Sequence, residues 1–206
     1  LTKRWWFDID PTAPKENVHR FTANRTESPS TIHGMPVLAG GRIVVAGGGD
    51  IWWGKRQAWL IGLEPAGDGD LTATAERWRV PLNRHTLSTP SVWNGLAFIA
   101  DSGRTIHCVD AATGETCWTH AIQGEMWAST LVADGKVYVA TRRGEFIVLA
   151  AARDKRVLGA QTLDGPVSAT PVAANGVLYV ATQKRLYALQ AGAPGRANTA
   201  NAKENE

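Results

Sequence analysis

Apolar and polar positions alternate along this chain in short runs, the pattern of β-strands rather than helices. LAFIAD (96–101) and TIHCVD (105–110) alternate apolar with mixed positions, as half-buried strands do. KVYVAT (136–141), EFIVLAA (145–151), VLYVAT (177–182) and RLYALQ (185–190) continue the pattern downstream. Upstream, RIVVAG (42–47), QAWLIGLE (57–64) and ERWRVPL (76–82) read the same way. Two stretches break the rhythm. Residues 9–31 are polar, carry prolines and keep neither period, which predicts a long surface loop. Residues 191–206 are small, polar and charged, which predicts a disordered tail.

The strands recur as a unit. Gly95, Gly135 and Gly176 follow one another at spacings of 40 and 41 residues, each just before an apolar strand. Ahead of them, Thr89-Pro90, Ser129-Thr130 and Thr170-Pro171 occupy matching places. Gly41, with Met35-Pro36 ahead of it, begins an earlier copy whose spacing to Gly95 is 54. The excess lies in loops that a sheet rim tolerates. A period near 40 residues with several short strands per period is the mark of a propeller blade. The chain is therefore predicted to be all-β, built of four-stranded antiparallel blades. About four blades are present, as part of a seven- or eight-bladed ring, and the blades span 32–190. Residues 1–31 read as the end of a preceding blade, LTKRWWFD, plus the long loop. On that reading the chain starts in mid-blade and is the C-terminal part of a longer protein. Closure with a second chain, or with a copy of itself, is the alternative, and a partial propeller is the third.

The stretch from Asp110 to Trp118 (DAATGETCW) is a tight turn into an outer strand. Asp110 can accept from turn amides, Gly114 can take a positive φ, and Trp118 offers a flat face to the neighbouring blade. In the next blade Leu158 takes the place of the tryptophan. If Asp110 pairs with Glu115 across the turn, Cys108 and Cys117 face each other. A disulfide and two free thiols both fit that spacing.

Composition narrows the function classes. A net charge of +3 with dispersed basic residues gives no nucleic-acid footprint. No apolar run reaches the roughly 18 residues of a membrane span, and Leu1–Trp6 has no apolar signal core. The five histidines and two cysteines show no zinc or haem spacing. No nucleophile motif and no motif-fixed carboxylate pair is present, so no catalytic residue is assigned.

With its DAATGETCW turn and its repeated STP and GKVYVAT strands, the chain resembles the PQQ-like β-propeller repeat family. That family includes BamB-type outer-membrane assembly lipoproteins and quinoprotein dehydrogenases. The resemblance covers roughly residues 32–190. It implies a docking role for Asp110, Gly114 and Trp118 between blades. It also implies a non-catalytic scaffold or protein-interaction module of the periplasm or cell envelope, working with a protein partner or with a missing propeller half. A C-terminal half of a PQQ-dependent dehydrogenase, or a structural subunit of a larger complex, is the alternative. The dehydrogenases hold PQQ and calcium in a central funnel beside a pair of adjacent cysteines. This sequence has no Cys-Cys pair and no cluster matching the calcium ligands, so no cofactor residue is assigned.

Two groups of residues remain as site candidates. His33, His85 and Trp127, with Ser168 at the matching place, stand just before inner strands, where propeller chains enter the channel. They are a channel mouth or ordinary loop residues. Trp52, Trp53, Lys55 and Arg56 sit in an insertion that the other blades lack, and read either as a partner contact or as cover for the rim.

Overall fold

A computed structural model describes residues 1–22, 24, 26–52 and 55–191. The expected tail beyond Ala191 lies outside the described residues. After a two-residue strand β1 (Trp5–Trp6), the first blade comprises β2 (Val37–Ala39), β3 (Arg42–Gly48), β4 (Ala58–Leu63) and, after the short β5 (Gly69–Asp70), β6 (Glu76–Leu82). The second is β7 (Ser91–Trp93), β8 (Leu96–Asp101), β9 (Thr105–Asp110) and β10 (Thr116–Ala121). The third is β11 (Leu131–Ala133), β12 (Lys136–Ala140), β13 (Glu145–Ala150) and β14 (Val157–Thr162). The fourth holds β15 (Val172–Ala174), β16 (Val177–Ala181) and β17 (Leu186–Gln190). Each blade is an antiparallel meander in chain order, three of four strands and the last, among the described residues, of three.

Period-two alternation sends the side chains of one strand into two different cores. Ala97 and Ile99 of β8 join Val44, Ala46 and Leu60 of the first blade. Leu96, Phe98 and Ala100 of the same strand join Val137, Val139 and Leu149 of the third. All six residues of β8 are buried. The half-buried reading of LAFIAD is thus corrected: a sheet stacked between two others has no solvent face.

Two tryptophans bind the first blade to the second and the second to the third. Trp118 donates its indole N–H to the Ala152 carbonyl at 2.9 Å, and its ring lies 5.9 Å from Phe98. Trp78, the matching residue of the first blade, donates to Ala111 O at 3.1 Å. A Cβ on Gly62, in its own blade, would lie 2.1 Å from the Trp78 ring, and one on Gly114 of the next blade 2.7 Å. Both positions need glycine for this close approach. Leu158, at the matching place on the third blade, is 50% exposed, and among the described residues the fourth sheet has three strands. A groove of about 530 Å³, lined by Phe146, Val148, Gln161, Tyr187 and Leu189, runs beside β17.

Hydroxyls at one repeat position join the blades a second time. Met35 N donates to Thr89 Oγ1, Thr89 N to Ser129 Oγ, and Ser129 N to Thr170 Oγ1, at 2.9–3.0 Å. Ser88 Oγ adds a bond to Ala128 O at 2.6 Å. The repeated Ser/Thr residues seen in the sequence are the rungs of a ladder around the inner strands.

β1 pairs in parallel with β5, Trp5 with Gly69 and Trp6 with Asp70, and joins no blade. Phe7 and Ile9 then cover Val45, Ile61 and Leu63 on the open face of the first blade. The 9–31 loop is more than surface: Ile9, Ala13 and Phe21 are buried, the last closing a short 3-10 helix, Val18–Phe21. An apolar sheet face without a neighbour draws the chain's own apolar residues onto it.

Trp118→Ala is expected to lower stability by about 3–5 kcal/mol, since it removes a buried ring and strands a carbonyl. Leu158→Ala, at the matching but half-exposed site, should cost under about 1 kcal/mol. Urea midpoints of the two variants check the contrast.

Candidate functional site

In each blade the loop ahead of the inner strand meets the loop between the second and third strands. Ser102 N donates to His85 O, Arg142 N to Glu125 O, and Gln183 N to Pro166 O, at 2.9–3.0 Å. Thr31 and Gly48 form the equivalent bridge in the first blade. These loop pairs gather His33, His85, Trp127 and Ser168 at one end of the array. That end is the candidate site.

His33 bonds the Asp50 carboxylate through Nε2, at 2.7 Å. Asp50 is buried, and its other oxygen accepts the Trp52 amide at 2.6 Å. This Asx turn holds the β3–β4 insertion and leaves the Trp52 ring 69% exposed. Trp127 is 42% exposed and carries the Arg142 guanidinium 4.4 Å from its ring centre. Arg142 also donates to Ser168 Oγ at 2.5 Å. His85 is the most enclosed member, 6% exposed. Burial, and then the Arg84 charge, hold its pKa below the usual imidazole value, with Asp50 and Glu125 pulling weakly the other way. Its loop is fixed from beneath. Asp101 accepts the Asn83 amide at 2.8 Å and pairs with His107 at 2.7 Å, both side chains buried. His107 is therefore a packed core residue and no part of the mouth.

The insertion residues divide. Trp52 and Arg56 are exposed, and Trp53 lies outside the described residues. Lys55 is buried, which corrects its reading as a partner contact. Its ammonium pairs with Asp10, which also accepts from Ser30 Oγ at 2.6 Å and Thr12 Oγ1 at 2.7 Å. Burial pushes the Asp10 carboxyl up, but the bonds from Lys55, Ser30 and Thr12 outweigh it and hold it well below the usual carboxylate range. The pair pins the N-terminal segment to the insertion.

The cysteine register is also corrected. Thr116 pairs with Val109 and Trp118 with Cys108, so Cys117 is the extra residue of a β-bulge. Both thiols are free, Cys108 fully buried and Cys117 partly so. Burial first, and then the neighbouring Cys117 sulfur, push the Cys108 thiol up. Cys117 lies 3.5 Å from the Arg153 guanidinium, whose other arm pairs with Asp110. Asp110 also accepts from Ala112 N and Thr113 N at 2.9–3.0 Å, and Gly114 has φ +78°.

No residue is assigned to the quinone and calcium that the dehydrogenase resemblance implies. Among the described residues no three His, Cys, Asp or Glu side chains converge, whereas calcium takes about 6–8 oxygen ligands. No chemical step is derived through either group. Nor, among the described residues, is any helix long and apolar enough to cross a membrane.

A family model described as outer membrane protein assembly factor BamB matches residues 67–153 and 105–196, more than half of the chain. The chain belongs to this PQQ-like, BamB-type propeller repeat family. The crystal structure of BamB from Moraxella catarrhalis is 21% identical with a TM-score of 0.61, over 78% of this chain and 47% of that one. The computationally designed Ika4 protein is 9% identical with a TM-score of 0.60, over 80% and 94%. At these identities the likeness shows the fold. The chain spans about half the length of the BamB structure it matches. No curated protein matches it.

The enclosed imidazole predicts a pH dependence. Below about pH 6.5 the unfolded chain protonates His85 more readily than the folded one, so stability is full above that pH and falls as pH drops through it. His120 shifts the same way, through burial and Lys155. Urea midpoints at pH 7.5 and 5.5 should separate for the natural chain, and separate less for His85→Gln.

Proposed function

We propose that this chain is a non-catalytic propeller scaffold, a protein-interaction module of the cell envelope that presents the mouth-end loops to a protein partner. The observation that carries this reading is the exposure of large apolar side chains on that end. Met35 and Trp52 are each 69% exposed, Trp127 42% and Ile51 37%. All four stand on loops ahead of inner strands or between second and third strands. Arg56 and Arg142 stand among them. Trp, Met and Arg are the side chains enriched at protein interfaces, and apolar groups clustered on one face mark a contact surface. The sheets beneath hold the loops in place, so binding costs little ordering.

The envelope assignment rests on the family, whose description names outer-membrane protein assembly. The same reading takes Asp110, Gly114 and Trp118 as the blade-docking set of the family. The open face of the fourth blade is where a missing propeller half or a partner chain belongs.

A photo-crosslinking amino acid placed at position 52, 127 or 93 in the native cell envelope tests this. Trp93 is 39% exposed but ends β7 at the opposite end of the array. Positions 52 and 127 should give the same discrete protein adduct and position 93 none. Equal labelling at all three positions, or none at 52 and 127, would overturn the reading.

A further inference from the structure

The N-terminal segment repeats a pattern of the outer strands. Trp5, Phe7 and Ile9 have the spacing of Trp78, Val80 and Leu82, and of Trp118, His120 and Ile122. Phe7 and Ile9 pack with Val45, Ile61 and Leu63 of the first blade, as Val80 and Leu82 pack with Ala97 and Ile99 of the second. β1 lies against β5, in the connection between the third and fourth strands of the first blade. Trp78 and Trp118 meet the following blade at that same connection, through Ala111 O and Ala152 O. Residues 5–9 are therefore docked as the outer strand of a blade ahead of the first, with no sheet of their own. The fourth blade has the opposite lack. Among the described residues β17 pairs only with β16, and Leu186 is 70% and Tyr179 36% exposed.

We propose that the fourth blade docks on the first blade of a second copy of this chain, each copy's β1 completing the other's last sheet. The existing sheets set the register. Ala181 pairs with Leu186 as Ala100 pairs with Ile106, so Leu186 and Ala188 stand at the ranks of Ile106 and Cys108. Those two oppose His120 and Trp118, which puts Phe7 opposite Leu186 and Trp5 opposite Ala188. The small Ala188 leaves room for a ring, as Gly62 does opposite Trp78. Asp8 then falls opposite Arg185, a cross-strand pair of opposite charge. Trp6, 43% exposed, falls opposite Tyr187, which lines the groove of about 530 Å³ with Phe146 and Val148. Both halves of the joint lie on this one chain, so a two-fold pair makes it twice and leaves no open edge. One chain covers 47% of the BamB structure, and two copies supply eight blades. The inference rests on the reading of the fourth blade's open face as an interface. It does not involve the mouth, whose crosslinks at 52 and 127 report a different contact.

Light scattering of the whole chain through a concentration series, with a photo-crosslinking amino acid at position 186, tests this. The expected mass is twice that of the 206-residue chain. The expected adduct joins two copies, position 186 of one to the peptide of the other that holds Phe7. Leu186→Glu, at a side chain exposed in the single chain, should raise the dissociation constant about thirtyfold or more, the scale of a central interface residue. The crosslink is read on the otherwise natural chain and keeps the test open if that variant folds poorly. A single-chain mass at every concentration overturns the proposal. So does an adduct within one chain, which means that the array closes on itself. A double mass whose adduct lies outside residues 1–9 means another interface and overturns it too. An adduct to a different protein in the native cell envelope, with none between copies, assigns the open face to that partner and likewise overturns it.

Discussion

Everything in this structure depends on the packing of one sheet face against the next. Each blade is apolar on both sides, and neither face is stable in water alone. The stacking of Val44, Ala46 and Leu60 on Ala97 and Ile99, and of Leu96 and Phe98 on Val137 and Val139, resolves this blade by blade. Trp78 and Trp118 fix the rotation between sheets, because an indole N–H must find its carbonyl as the ring is buried. Where the stack ends, the same constraint acts on what is left. Phe7 and Ile9 fold onto the first blade, and on the fourth blade Tyr187 and Leu189 line a groove with Phe146 and Val148 of the third.

The mouth follows from this packing. Strand edges turn at the same height in every blade, so loops of equal rank meet at one end. The hydroxyl ladder from Met35 through Thr89 and Ser129 to Thr170 ties them at the repeat spacing. Side chains on those loops can then diverge without disturbing the fold. The first blade carries an Asp–His pair and an exposed tryptophan, the second a nearly closed imidazole, the third an arginine stacked on a ring.

Much of this was legible in the chain because the repeat is encoded locally. The glycines at 95, 135 and 176, the Ser/Thr residues ahead of them and the Asp110–Gly114 turn each need only their neighbours. What could not be read depends on contacts between distant residues or on a break in register. Counting from the turn placed Cys117 opposite Cys108, but one bulged residue moves Trp118 there. Lys55 looked solvent-bound because its partner, Asp10, lies 45 residues away in a loop without period. His33, His85 and Trp127 could be placed at the mouth, whereas Asp50, Ser102 and Arg142 were missed. A signal for two of these existed in the aligned loops ADSG (100–103) and ATRRG (140–144), which the repeat sets at the same end.

If inter-blade packing is the governing interaction, the second and third blades cannot open separately. Native-state hydrogen exchange in rising denaturant measures this directly. The account predicts that the slowest amides of β8, β9, β12 and β13 converge on one opening free energy with one denaturant dependence. Separate opening of β8–β9 and β12–β13, each with its own free energy, would mean that the blades are stable alone and that the shared cores do not hold the array.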